Sequence, residues 1–540
     1  MSRWAVLAGG FVALLGCGGA TTVDSNPTTN PAGVASITVT APRSTMIVGE
    51  TVQLTAATKD AAGNPTNASA VVWSVGDIVG GDTIVGRIDA NGRYTAPAFF
   101  PSQNPVRISA SVGTSPAVTG STTVGIAVAP QQGTWVALQP RALNSTATGQ
   151  MLVMANAPAG TTGVELVPTD GGTVVPFTQL VGTTLFQGSI ATSRVLHAYQ
   201  SGDLHAVVGF LDFYNGATRS SRLNVVENVR DATVPDVAVT ERASDVQRSP
   251  HVVNIRFDSL FLGGGIPTAV PRRFYALFGD DYDFLAVIEQ VNVVANRNYQ
   301  SVRNSETGFG VTTFDRSASV GSLGHILGMI DYPTSSFFDL AETGSLHEIG
   351  HRWMSYLPGA NSGAHWAVSD IAYGIMGFSL PGGEGGAFPF TLTAAGPDYA
   401  VHLTSPATRY NDLELYLMGL GPASEVGPHF VFQNQNQSSQ LHDGGLLLGP
   451  VTPLTINDVI AAAGPRVPAY GQAQTSFNVG TIVLSYGRLL TREEMAYFDF
   501  MAARGEATTP VHYTVGLASG TTLPFVLATN GRGRLSTTIR

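Results

Sequence analysis

From Ala35 to about residue 128, hydrophobic and polar positions alternate in short runs. Ser36-Ile37-Thr38-Val39-Thr40 and Thr51-Val52-Gln53-Leu54-Thr55-Ala56 place an apolar side chain at every second position. That period of two marks half-buried strands, and turn chemistry such as Ala62-Gly63-Asn64-Pro65 separates them. Val71-Val72-Trp73-Ser74-Val75 and Val106–Val112 continue the series, which predicts a β-sandwich over 35–128. Pro130-Gln131-Gln132-Gly133 reads as a linker. Alternation resumes in Gly163-Val164-Glu165-Leu166-Val167 and Leu204–Phe210, and predicts a second sandwich over 134–228, followed by a polar hinge over 229–250.

Beyond residue 250 the texture changes. Asp281–Asn298 and Phe337–Leu357 carry apolar residues at helical spacing, with a strand-like Gly308–Phe314 between them. The expected fold is therefore multidomain: N-terminal all-β sandwiches followed by an α/β (α+β) domain over 250–540.

Composition narrows the chemistry. Charged residues are 12% of the 540 and the net charge is -10, with no cluster of Lys or Arg, so no nucleic-acid partner is expected. Cys17 is the one cysteine. An intramolecular disulfide and a cysteine-based zinc site are both excluded, and any metal must be held by His, Asp or Glu. Residues 1–17 combine Arg3, an apolar stretch from Trp4 to Leu15 and the ending Leu14-Leu15-Gly16-Cys17. The stretch is too short to span a bilayer and reads as a signal peptide, with 18–34 as a flexible tether. The ending resembles the bacterial lipobox. That resemblance implies acylation of Cys17 and anchoring to a membrane surface, and Gly18 beside it points to the outer membrane or cell surface.

Chemistry concentrates in His347-Glu348-Ile349-Gly350-His351. On a helix, positions i and i+4 share a face, so both imidazoles reach one metal ion. Glu348, one step round, is placed to take a proton from a water that the metal acidifies. Phe337, Phe338, Leu340, Leu346, Ile349 and Trp353 supply an apolar stripe, and Pro358-Gly359 would end the helix. Hydrolytic zinc sites use three protein ligands. The first candidate for the third is His365, in Gly363-Ala364-His365-Trp366; the second is Glu414, in the helical stretch Tyr410–Gly419; His402 is weaker. Tyr373 and Tyr399 are candidate oxyanion donors, more readily structural. Asp370 is a candidate partner for a ligand histidine. Asp280, Asp281 and Asp283 read as a solvated helix start rather than a calcium site, and Gly382–Gly386 as a mobile loop.

Three resemblances follow from these motifs. Val48-Gly49-Glu50 through Leu54, Trp73-Ser74 and Gly92–Pro97 resemble bacterial Ig-like (group 2) modules, which serve as spacers or stalks. His347, His351 and His365, followed by Ala372-Tyr373-Gly374-Ile375-Met376-Gly377-Phe378, resemble the metzincins, in which a Met-containing turn underlies the metal. The longer spacing to His365 departs from their compact pattern. The wider string through Glu414–Leu420, Asn457–Ile460 and Gly464–Pro468 is similar to bacterial exported metallopeptidases distantly related to immune-inhibitor-A-like enzymes. The resemblance implies the site pattern of a zinc peptidase and no particular substrate; the expected function is hydrolysis of extracellular or surface protein, with Glu348 as base. The rival expectation is a surface adhesin or binding lipoprotein with a structural or inactive zinc site; a third is a hydrolase of non-peptide esters.

Overall fold

A computed structural model describes residues 33–66, 71–82, 84–97, 101, 103–113, 117–127, 133–257, 265–289, 291–293, 297–334, 344–381, 385–486, 488–515 and 518–540. The segment read as a signal peptide, Cys17 and most of the segment read as a tether lie outside them, as do Phe337, Phe338 and Leu340. Among the described residues no helix is long and apolar enough to cross a membrane. Two compact units are present, one comprising the chain up to Ser44, Thr51–Thr95 and Gln103–Gly125, the other Thr45–Glu50, Ala96–Ser102 and Ile126–Arg540. Strand predominates in both.

The first unit is antiparallel β-structure. Ser36–Thr40 pairs with Thr55–Lys59, Thr51–Gln53 with Arg93–Thr95, and Val72–Val75 with Val106–Val112. The alternation read from the sequence turns Val39, Val52, Trp73, Tyr94 and Ile108 inward. Gly92 closes a turn at φ +81°, and a Cβ there would meet the Trp73 ring at 2.7 Å. Only glycine lets that turn lie flat on the indole.

In the second unit, residues from Trp135 to Arg230 form most of two five-stranded sheets, one of them completed by Asn292–Val293. One carries β1 (Trp135–Gln139), β2 (Gln150–Asn156) and β4 (Leu185–Ala191); the other carries β3 (Gly163–Pro168), β5 (His205–Asn215) and β6 (Thr218–Arg230). Val153, Leu166, Phe186, Leu211, Phe213 and Val225 fill the space between them. The following residues build an eight-stranded sheet around β7 (Val252–Arg256), β8 (Phe284–Glu289), β10 (Asn298–Ser301), β11 (Gly328–Pro333) and β15 (Ser476–Ser485). β7, β15, β8 and β11 run parallel, and β10 closes the edge antiparallel to β11. The two parts are joined through backbone: β1 pairs with β9 (Asn292–Val293), Trp135 opposite Val293.

Three sequence expectations fail in and around this sheet. The described residues of 281–298 are not helical; the apolar run is β8, buried at every position. A strand covered on both faces reads as continuous hydrophobicity, which periodicity alone cannot separate from a buried helix. Phe284, Ala286 and Ile288 face one core and Leu285 and Val287 the other. Asp283, expected in solvent, is buried before β8 and accepts from the Asn478 backbone N–H at 2.7 Å. Gly308–Phe314 forms no continuous strand, although Phe309 is fully buried.

Candidate metal centre

The motif lies on α1 (Gly344–Gly350), whose hydrogen bonding carries on to His351 N–H, 3.2 Å from His347 O. The helix is shorter than the sequence pattern indicates: turns follow from His351, and Ser355 adopts a positive φ of 69° before Pro358 is reached. Leu346, Ile349 and Trp353 anchor it in the core shared with β8 and β11. Past the helix, Glu306 fixes the turn, accepting from Trp353 Nε1 at 2.7 Å, Arg466 at 2.9 Å and the buried Arg352 at 3.3 Å.

The chain then reverses and brings His365, at the start of β12 (His365–Trp366), to the same face. Candidate ligand atoms of His347, His351 and His365 all lie within 4.8 Å of one another. The rings stand 4.8, 5.0 and 5.3 Å apart between centroids. His347 Nδ1 donates to the Ile375 carbonyl at 2.9 Å, because a carbonyl can only accept, and so its Nε2 presents a lone pair. His365 Nδ1 lies 3.1 Å from Ser379 Oγ on β13 (Phe378–Ser379), and its Nε2 is 3.0 Å from that of His347. With Ser379 accepting, two imidazole lone pairs converge, an arrangement that a shared cation relieves. Burial is the first cause holding all three imidazoles below their usual pKa; neighbouring histidines add to it for His347 and His351, and the Arg297 charge for all three, with His351 pushed down to about 3. They are therefore neutral at pH 7, as metal ligands must be. The residues present fit a metal ion.

Glu348 is buried beside them. Burial pushes its carboxyl up to about 7 against the opposing pull of Arg297, whose Nε donates to Oε1 at 3.2 Å. Arg297 leads into the edge strand β10, and its side chain is 11% exposed. No sequence signal marks Arg297, Glu306 or Ser379, because each is brought in by tertiary contact.

Glu414 is placed elsewhere. It is fully buried on α2 (Asp412–Leu417), and both its oxygens are engaged. They accept from Trp366 Nε1 at 3.1 Å, from the backbone N–H of Ile375 and Met376 at 3.2 Å each, and from Asn411 N–H at 3.0 Å. Glu414 thus clasps the turn whose Ile375 carbonyl orients His347. Asn411-x-x-Glu414 is a capping box, a signal legible in the sequence that assigns this carboxylate to the helix start. Met376 lies under α1: a Cβ on Gly350 would meet its sulfur at 2.6 Å. His402 is exposed on its strand and outside the cluster. Asp370 accepts from His429 Nδ1 at 3.0 Å and from the Phe430 N–H at 2.8 Å, so its partner is not one of the three clustered histidines. Tyr399 stacks on Phe430, centroids 4.4 Å apart.

No protein-family model matches this chain, and no curated protein does. Among solved structures, an EC1-4 fragment of PcdhgB3 is similar at 12% identity, covering 36% of this chain and 50% of its own, with a TM-score of 0.14. The Escherichia coli adhesin FdeC matches at 14% identity over 36% of this chain and 64% of its own, with a TM-score of 0.15. A Salmonella alpha-2-macroglobulin mutant matches at 14% identity over 42% of this chain and 17% of its own, with a TM-score of 0.14. The chain thus spans less than two thirds of each of these structures, and likenesses of this size carry no argument about function.

Proposed function

We propose that the chain is a zinc-dependent peptidase acting on extracellular or surface protein, with 250–540 as an α/β zinc-peptidase-like catalytic domain. The observation that carries this reading is the convergence of three neutral imidazoles, with candidate ligand atoms within 4.8 Å of one another, beside a buried glutamate. His347, His351 and His365 would hold the metal; three protein ligands leave a position open, the mark of a catalytic rather than a structural zinc site. When bound, zinc supplies Lewis acidity to the scissile carbonyl and to water. Glu348 takes the proton from the attacking water and delivers it to the leaving amine; a carboxyl near pH 7 is matched to both transfers. Arg297 holds Glu348 in place. β10 is the edge of its sheet and runs into Arg297, so an extended peptide has a strand to pair with beside the site. The signal sequence and lipobox support export and anchoring at Cys17, with the N-terminal β-structure, Ig-like in its sequence motifs, as a spacer.

The test is Glu348→Gln, with zinc content and cleavage of a mixed peptide library measured on the same samples. The expected variant keeps its zinc and loses about 10²–10⁴-fold in cleavage. Undiminished cleavage would overturn the role of Glu348; a wild type that binds zinc and cuts nothing would favour the structural-site alternative.

A further inference from the structure

Two imidazoles of the cluster belong to one chain of short contacts, and it ends on a side chain to which the peptidase chemistry gives no part. The Ile375 carbonyl lies 2.9 Å from His347 Nδ1, His347 Nε2 lies 3.0 Å from His365 Nε2, and His365 Nδ1 lies 3.1 Å from Ser379 Oγ. A carbonyl only accepts, so neutral His347 carries its proton on Nδ1 and a lone pair on Nε2. The central contact is then a hydrogen bond only with His365 Nε2 as donor. That leaves a lone pair on His365 Nδ1, which the Ser379 hydroxyl meets by donating.

The same contacts run the other way when the histidines hold a metal. Both Nε2 atoms then turn lone pairs to the ion, His365 carries its proton on Nδ1, and Ser379 Oγ accepts. One proton leaves Nε2 and one arrives at Nδ1 by exchange with solvent, so the ring stays neutral and none is released overall. A carbonyl in place of Ser379 would serve only the loaded arrangement. A hydroxyl serves both, because it donates and accepts. Ser379 is buried, at 7% exposed, yet glycines leave its hydroxyl room to turn. It stands opposite Gly385 in strand register, where a Cβ would meet Oγ at 2.9 Å; a Cβ on Gly363 would lie 3.7 Å away.

We propose that Ser379 is a positioning residue that lets the ring proton of His365 pass from Nε2 in the zinc-free protein to Nδ1 in the loaded one. Without zinc, the His365–His347 hydrogen bond keeps the two rings facing, so the site is formed before the ion arrives. Ser379 acts through His365 alone. The inference rests on the zinc site of the proposed function and is independent of what that site cleaves.

The test labels histidine with ¹⁵N in the whole chain and follows the ring nitrogens by NMR with and without zinc. Zinc affinity is measured beside it by competition with a chelator. Signals lost in His347→Ala and His365→Ala assign the two rings. In wild type the His365 proton is expected on Nε2 before zinc and on Nδ1 after it, while that of His347 stays on Nδ1. Ser379→Ala should bind zinc about 10–100-fold more weakly, and Ser379→Thr, which keeps the hydroxyl, should return it to within about threefold of wild type. If either variant fails to fold, the wild-type spectra decide. A His365 proton on the same nitrogen in both spectra overturns the proposal, and so does a folded Ser379→Ala protein that binds zinc as wild type does. A wild type that takes up no zinc at the three histidines overturns the zinc site itself, and this inference with it.

Discussion

Glu414 shows how one carboxylate changes its meaning between sequence and structure. By spacing alone it competes with His365 for the metal, whereas in the fold its oxygens face Trp366, Ile375, Met376 and Asn411. Glu414→Ala is therefore expected to lower the melting temperature sharply, since each buried donor left unpaired costs about 1–3 kcal/mol. The folded fraction should still take up zinc, with weaker affinity because the Ile375 carbonyl no longer holds His347. A normal melting temperature with zinc lost would instead mark Glu414 as a ligand. His347 and His351 were legible because helical geometry follows from sequence spacing. The capping box Asn411-x-x-Glu414 was equally local and could have been read. Arg297 and Ser379 were not legible: nothing near them in sequence says what they will touch.

At the scale of elements, a strand edge and a helix start are tied together by a charged trio. His429, on β14 (His429–Phe432), lies between Asp370 and Asp412, 3.0 Å from each. Burial alone would lower its pKa, but the two carboxylates outweigh it and raise His429 to about 9. Burial would raise Asp412, yet His429 and the N–H groups of Gly427 and Leu413 hold it down to about 2. A raised histidine stabilises fully below its unfolded pKa of about 6.5 and loses that contribution as pH climbs through 9. A depressed aspartate stabilises above about 4 and loses its contribution as pH falls through 2. The trio thus predicts greatest stability between about pH 4 and 6.5, and His429→Gln should flatten the alkaline decline when melting temperature is followed against pH. An unchanged alkaline arm in the variant would refute the assignment. Elements with a clear period of two were legible, as in the first unit. β8 was not, because burial on both faces erases the period.

At the scale of the molecule, the sequence read 134–228 as a sandwich set off by a hinge, and in the fold it shares one compact unit with the parallel sheet that carries α1. Besides the β1–β9 pairing, a buried charge cluster links them. Glu494, on α3 (Arg492–Ala503), accepts from Arg141 N–H at 2.7 Å and from Arg488 at 2.6 and 2.7 Å, while Tyr497 OH lies 3.0 Å from His205 Nε2. The separation of these partners, 353 positions for Arg141 and Glu494, is why no local pattern announces the joint. Glu494→Gln strips the carboxylate from the partly buried Arg488 and should cost about 1–3 kcal/mol in urea unfolding. A single cooperative transition, lowered as a whole, is the expected result; an early transition of one part alone would show that the sandwich and the sheet fold independently.

The central claim is a metal held by three histidines with a position left open. X-ray absorption at the zinc edge of the loaded protein measures that directly. The account predicts three nitrogen neighbours at about 2.0–2.1 Å with oxygen completing the shell, and one nitrogen lost in His365→Ala. A spectrum unchanged in His365→Ala, or a shell closed by four protein ligands, would contradict it.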